Sequence, residues 1–299
     1  MDFLHVLQEL RTPFGEAFFQ AMTWLGEELV AMAILGILYW CVHKEFAYRL
    51  AFSFFLSGIA TQVVKLTLRV PRPWVRDASL VPVGTATETA TGYSFPSGHT
   101  QTGTSLYGTF LWKAPKWWQR LLCAAAIVLL GFSRMYLGVH TPADVLAALG
   151  MAMLLTILIN TLYDRGVFER HRLAVMVVVT GISFATLIYA WILSCNGTVP
   201  QELAADAVKA GAAGLAFGIG WYLETTKVSF TTKTRTLWQQ LVKLFVGLIG
   251  VLVLKSGIKA VFGETLLVDG IRYFLVVIWV TYLYPLVIKK FHGGENGHL

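Results

Sequence analysis

Three polar stretches interrupt a chain that is otherwise apolar, and each carries side chains suited to handling a charged group. The first, KLTLRVPRP at 65–73, sets Lys65 and Arg72 seven residues apart. Pro71 and Pro73 are expected to end a helix there and fold Arg72 back over its mouth. Alone, the pair reads as two cations reaching from a helix end to a membrane interface. The second, GYSFPSGHTQ at 92–101, has Pro96 and Ser97 where a helix N-cap belongs, followed by Gly98 and His99. Free backbone N–H groups and the positive helix end form an anion site, although an ordinary cap with a histidine behind it explains the stretch equally well. The third, SRMYLGVHTPAD at 133–144, offers Thr141 as an N-cap and Asp144 in the first turn of a helix. His140 and Asp144 are also close enough for the carboxylate to bond one ring nitrogen and orient the other, as histidine catalysis requires.

The combination carries more than its parts. Lys65, Arg72 and Arg134 bring three cations, the 97–99 turn brings backbone donors, and His99, His140 and Asp144 bring two imidazoles and one carboxylate. All are expected on one face of a membrane. Converging cations at the edge of a bilayer are costly unless an anion occupies the space between them. A phosphate dianion fits that charge, and arginine fits its geometry. Metal binding by His99, His140 and Asp144 is the competing reading, and the cationic neighbours oppose it by repelling a divalent ion.

These residues resemble the type 2 phosphatidic acid phosphatase superfamily. All three parts of its signature are matched, at Lys65/Arg72/Pro73, at Pro96/Ser97/Gly98/His99 and at Ser133/Arg134/His140/Asp144. The signature spans 65–144, and the helices to about residue 193 resemble the family's six-helix core. The resemblance implies that His140 attacks phosphorus and forms a phosphohistidine while Asp144 holds its tautomer. His99 is implied as the proton donor to the leaving oxygen. Lys65, Arg72, Arg134, Ser97 and the Gly98 amide are implied as ligands of the equatorial phosphate oxygens, and no metal or cofactor is needed.

The elements that must hold these groups are membrane helices. Of the 299 residues 56% are hydrophobic and 14% charged, and the mean hydropathy is +0.62, a composition far from that of a soluble domain. Runs able to cross a bilayer as helices of about 20 residues fall at 23–42, 47–68, 98–113, 118–137, 141–162, 173–193, 203–224, 238–258 and 271–290. An all-α polytopic bundle of about nine spans is therefore expected: a lead-in at 1–22 lying at the interface, a phosphatase core at 23–195, and accessory helices at 196–299. The third run, rich in Thr, Ser and Gly, suits close packing inside the bundle rather than contact with lipid.

The charge of +7 is explained by orientation rather than by nucleic-acid binding. More than half of the Lys and Arg residues, including Lys44, Arg120, Arg165, Arg170, Lys227, Arg235 and Lys289, collect on one side of the nine spans, which the positive-inside rule makes cytoplasmic. The C-terminus then lies inside, and the 69–97 loop, the 134–140 turn and the 194–202 loop face out. Cys41, Cys123 and Cys195 have no paired or zinc-type spacing. Asp206 and Lys209, three apart, are expected to form a helical ion pair. Glu27, Glu28, Lys255, Lys259, Glu264 and Asp269 are further charges in or near the membrane. Trp117, Trp118, Trp221 and Trp238 are expected at membrane interfaces. His5, His43, His171, His292 and His298 receive no function.

The function expected is a plasma-membrane phosphatase for a phosphorylated lipid at the outer leaflet, with undecaprenyl diphosphate as the first candidate and with membrane lipids, but not nucleic acid, as partners. A lipid phosphotransferase and a glucose-6-phosphatase-like enzyme are the alternatives within catalysis. A transporter or scaffold without catalysis is the alternative outside it.

Overall fold

The computed structural model describes residues 1–234 and 236–293; Arg235, His298 and the rest of 294–299 lie outside the described residues. Among the described residues every regular element is helical. In chain order they are α1 (Asp2–Glu9), α2 (Pro13–Thr23), α3 (Glu28–Ile37), α4 (Lys44–Leu68), α5 (Pro73–Arg76), α6 (Gly98–Lys113), α7 (Trp117–Tyr136) and α8 (Pro142–Asp164). Then follow α9 (Val167–Arg170), α10 (Arg172–Cys195), α11 (Gln201–Leu223), α12 (Leu237–Leu252), α13 (Ile258–Phe262), α14 (Leu266–Ile278) and α15 (Tyr284–Gly293). Hydroxyl side chains start several of them. Thr12, Ser97, Thr236 and Thr265 each accept a hydrogen bond from the backbone N–H three residues on, closing the first turns of α2, α6, α12 and α14.

Nine spans are expected from the sequence; eight of the nine runs form helices, while the run at 23–42 is broken at Glu27. By length and composition, however, seven helices among the described residues are able to cross a membrane. The count is eight if Pro13–Gly26 and Glu28–Val42, bent by 48° at Glu27, are taken as one span. The run that falls short is α6. Its 16 residues measure about 24 Å at 1.5 Å per residue, less than the roughly 30 Å of a hydrocarbon core, and its hydroxyls are unsuited to lipid.

The chain forms two compact units, one of Met1–Ala33 with Phe52–Asp164 and one of Ile34–Ala51 with Arg165–Leu299. In the first, α6 packs against α7 and α8. It is buried along most of its length, including Thr100, Gln101, Thr104, Ser105 and Thr109. Buried polar groups are costly unless satisfied, and most of these are, Thr104 Oγ1 being an exception. Ser105 donates to the Gln101 carbonyl (3.0 Å), Thr109 to the Ser105 carbonyl (2.8 Å), and Gln101 Nε2 to Ser57 Oγ (2.7 Å). The 69–97 loop is tied down at its middle by α1. His5 Nε2 lies 2.8 Å from Asp77 Oδ2, and Gln8 exchanges hydrogen bonds with the Ser79 carbonyl (3.1 Å) and the Val81 N–H (2.8 Å). Leu4, Leu7, Leu80 and Tyr136 form the apolar cluster beneath.

In the second unit α10 and α11 approach closely. A Cβ on Gly211 would lie 2.9 Å from the Ser183 carbonyl oxygen and 3.0 Å from the Leu187 nitrogen. The Asp206–Lys209 pair forms as expected (3.3 Å) and extends to α14, with Lys209 3.9 Å from Asp269 and Asp269 paired to Arg272. Glu224 is fully buried but neutralised. It accepts from Lys44 Nζ (3.0 Å), the Phe230 N–H (3.0 Å) and the Tyr48 hydroxyl. Trp117, Trp118 and Trp238 are exposed, whereas Trp221 is buried between the rings of Tyr48 and Phe168 rather than placed at an interface.

Because backbone rather than a flexible side chain faces Gly211, Gly211→Val is expected to cost about 1–3 kcal/mol by overpacking. Thermal unfolding in detergent checks this; an unchanged midpoint would show that the two helices move apart freely.

Candidate active site

His140 sits in the turn joining α7 to α8. The N–H groups of Val139 and His140 both donate to the Arg134 carbonyl (3.1 and 3.2 Å), and Gly138 takes the left-handed φ of +77° that the reversal needs. The turn therefore folds back onto the end of α7, bringing His140 beside Arg134. At the start of α8, Asp144 Oδ2 accepts from the Thr141 N–H (2.8 Å), and the Asp144 N–H reaches Thr141 Oγ1 (3.3 Å). The same oxygen accepts from Ser94 Oγ (2.7 Å) and lies 3.4 Å from His140 Nδ1. Asp144 thus caps its helix and faces the histidine at once.

The ring's other nitrogen defines its protonation. Arg72 Nη1 lies 2.9 Å from His140 Nε2. A guanidinium only donates, so Nε2 is the acceptor and the proton resides on Nδ1, which faces Asp144 at 3.4 Å without a hydrogen bond. Burial holds the His140 pKa well below the ordinary 6.5 despite the carboxylate, and the nearby charges of Arg72, Arg134 and Lys65 act in the same direction as burial. A neutral imidazole with its Nε2 lone pair turned toward cations results.

The three cations are buried rather than extended to an interface, with Lys65 5%, Arg72 6% and Arg134 0% exposed. α4 ends at Leu68, Arg69 takes a left-handed φ of 51°, and α5 begins at Pro73, so the two prolines fold Arg72 back as expected. The loop carbonyls then hold the charges. Lys65 Nζ donates to the Tyr93 carbonyl (2.5 Å), Arg72 Nε to that of Gly92 (3.1 Å) and Arg72 Nη2 to that of Thr91. Arg134 Nη1 donates to Thr23 Oγ1 (2.6 Å), while its Nε and Nη2 are buried with no hydrogen-bond partner in the protein. Buried donors on a cation are expensive to leave unmatched, and an anion is the group that matches them.

At the mouth of α6, Ser97 caps the helix and its N–H donates to the Asp144 carbonyl (3.0 Å), joining α6 to α8. A Cβ on Gly98 would meet nothing within 4 Å, so open space adjoins this backbone. His99 Nε2 lies 3.2 Å from Glu27 Oε1. The structure thus gathers Lys65, Arg72, Ser97, Gly98, His99, Arg134, His140 and Asp144 in one unit, and adds Thr23, Glu27 and Ser94. Glu27 stands out from the sequence only as a charge near the membrane, since a partner 72 residues away leaves no local pattern. Among the described residues no group of three or more His, Cys, Asp or Glu side chains is able to hold a metal ion.

Residues 46–167 match the family model of the PAP2 superfamily, and residues 208–296 match that of the PAP2 superfamily phosphatase transmembrane extension. The chain belongs to the PAP2 superfamily. This PAP2 chain is 30% identical over 201 residues to a probable sphingosine-1-phosphate phosphatase of Dictyostelium discoideum, covering 63% of the chain and 47% of the relative. It is 27% identical over 157 residues to a dihydrosphingosine 1-phosphate phosphatase of Saccharomyces cerevisiae, covering 48% of the chain and 37% of the relative. An undecaprenyl-diphosphatase of Sulfolobus acidocaldarius is 32% identical over 105 residues, covering 35% and 48%. The PAP2 chain therefore spans half or less of the length of each of these relatives. The crystal structure of LpxE from Aquifex aeolicus is similar at 23% identity and a TM-score of 0.44, covering 54% of this chain and 93% of that one.

If the orphaned Arg134 donors form an anion site, inorganic phosphate binds the purified protein and Arg134→Ala weakens it by about 10- to 100-fold, the equivalent of about 1–3 kcal/mol for a charged hydrogen-bonding partner. Calorimetric titration measures both. Equal affinity in the variant would remove Arg134 from the site.

Proposed function

We propose that this PAP2 chain is an integral membrane phosphatase that hydrolyses a lipid phosphate or isoprenoid diphosphate through a phosphohistidine, without a metal. The observation that carries the proposal is the buried, neutral His140, whose Nε2 lone pair faces Arg72 beside the unmatched donors of Arg134. A phosphoryl group seated on Lys65, Arg72, Arg134, Ser97 Oγ and the Gly98 N–H places its phosphorus before Nε2. Attack forms the N–P bond while the O–P bond breaks; its electron pair leaves with the lipid oxygen of a monoester, which takes a proton from His99, or with the phosphate oxygen of the lipid monophosphate that a diphosphate expels. Asp144 stabilises the positive charge that develops on the ring. Water then attacks phosphorus and gives a proton to the now neutral His99, and the N–P bond breaks with its electron pair returning to Nε2, so that His140 departs neutral. Most of the acceleration comes from fixed cations meeting the charge of the transferring group.

Orientation rests on the basic residues. Lys44, Arg120, Arg165, Arg170 and Lys227 place one side in the cytoplasm, and the loops carrying the site then face outward in a plasma membrane. Arg235 and the C-terminal residues assigned to the cytoplasm lie outside the described residues. Undecaprenyl diphosphate is a substrate candidate because its recycling requires dephosphorylation on the outer face. Sphingoid-base phosphates are supported by the names of two relatives.

In the presence of EDTA the purified protein is expected to release phosphate from at least one lipid of an isoprenoid, glycerolipid and sphingoid panel. His140→Ala is expected to lose about a thousandfold or more and to trap no acid-labile phosphoenzyme. Full activity in that variant would sink the nucleophile assignment. Since burial lowers the pKa of His140, the acid limb of kcat/KM that reports its protonation is expected below pH 6.5, and a limb above that value would count against a buried nucleophile. Cys195 is exposed, so a membrane-impermeant thiol reagent should label it in intact cells; labelling only after permeabilisation would reverse the orientation.

A further inference from the structure

Residues 23–27 close over the start of α6, although none of them belongs to the three polar stretches. Thr23 Oγ1 accepts from Arg134 Nη1 (2.6 Å), and the Leu25 carbonyl accepts from the Tyr107 hydroxyl (3.2 Å). A Cβ on Gly26 would stand 2.8 Å from the His99 carbonyl oxygen, so only glycine lets the segment lie this close to α6. Glu27 follows with an extended backbone, φ −68° and ψ 136°, and its Oε1 lies 3.2 Å from His99 Nε2. The break between α2 and α3 thereby aims a carboxylate at the histidine. Both side chains are partly open, 12% for His99 and 23% for Glu27, as befits the mouth of a site. The segment lies outside residues 46–167, so the family match gives it no role.

We propose that Glu27 is the positioning residue of His99 and that it makes the site favour phosphate monoesters of lipid alcohols over lipid diphosphates. The inference rests on reading His99 as the acid of the leaving group. Burial first, then Arg134 and Arg72, oppose placing a proton on the His99 ring, and Glu27 is the anion that works in the other direction. With Nε2–H held by Glu27, the protonated ring delivers its Nδ1 proton. As the O–P bond breaks, its electron pair goes to the lipid oxygen, that oxygen takes the Nδ1 proton, and His99 is left neutral with Nε2–H still on the carboxylate. In the second half-reaction the attacking water returns a proton to Nδ1.

A lipid alkoxide is strongly basic and needs that proton. The leaving group of a diphosphate is a phosphate monoester, whose second pKa is about 6, so it departs without one. It also departs charged, toward a carboxylate, while Lys65, Arg72 and Arg134 are occupied by the phosphoryl group under attack. Glu27 thus helps one leaving group and repels the other.

The test measures kcat and KM of the full chain in mixed micelles on a sphingoid-base 1-phosphate and on a polyisoprenyl diphosphate. Wild type is expected to favour the monoester. Glu27→Gln is expected to lower kcat on the monoester by about 100-fold, within the range of a general-acid step. On the diphosphate it is expected to change kcat/KM by less than about threefold or to raise it, so the ratio between substrates falls by tenfold or more. Glu27→Asp is expected to recover part of the monoester rate. Equal losses on both substrates, or no loss on either, would overturn the inference while leaving the phosphatase reading intact. A wild-type protein that releases phosphate from neither substrate would overturn both.

Discussion

One carboxylate, that of Asp144, ties the site together. Its Oδ2 satisfies the Thr141 N–H at the start of α8, accepts from Ser94 in the long loop, and faces His140 Nδ1 across 3.4 Å. Its backbone carbonyl receives the Ser97 N–H at the start of α6. Helix start, loop and histidine therefore share a single anchor, and displacement of that anchor shifts all of them together. A carboxylate buried to this degree is tolerable because each of its contacts is a donor or a developing cation.

Around that anchor the structure gathers positive charge. Three buried cations face two imidazoles, and the loop carbonyls of Thr91, Gly92 and Tyr93 orient Lys65 and Arg72. Arg134 keeps two donors unmatched. In the second unit several carboxylates sit beside cations: Glu224 with Lys44, Asp206 with Lys209, and Asp269 with Arg272. Unmatched donors on a buried cation are expensive unless an anion meets them, and that cost is what marks Arg134 among the intramembrane charges.

Sequence alone determined the helical class, the approximate bounds of the runs and the residue types of the site. Apolar runs of about 20 residues have one stable form in a bilayer, and the order and spacing of Lys65/Arg72, Ser97–His99 and Arg134/His140/Asp144 are properties of the chain itself. The cap role of Asp144 was legible because capping is local, acting over three residues.

What only the tertiary structure decided depends on contacts between distant residues. The His140 tautomer follows from Arg72, 68 residues earlier. Glu27 becomes a partner of His99 because the chain breaks between α2 and α3 and Gly26 permits close approach to α6. The burial of Trp221 was likewise set by its neighbours, since the same aromatic side chain suits an interface or a core according to what packs against it. Periodicity and spacing report which face of an element is apolar; they do not report which polar group from elsewhere in the chain will meet it.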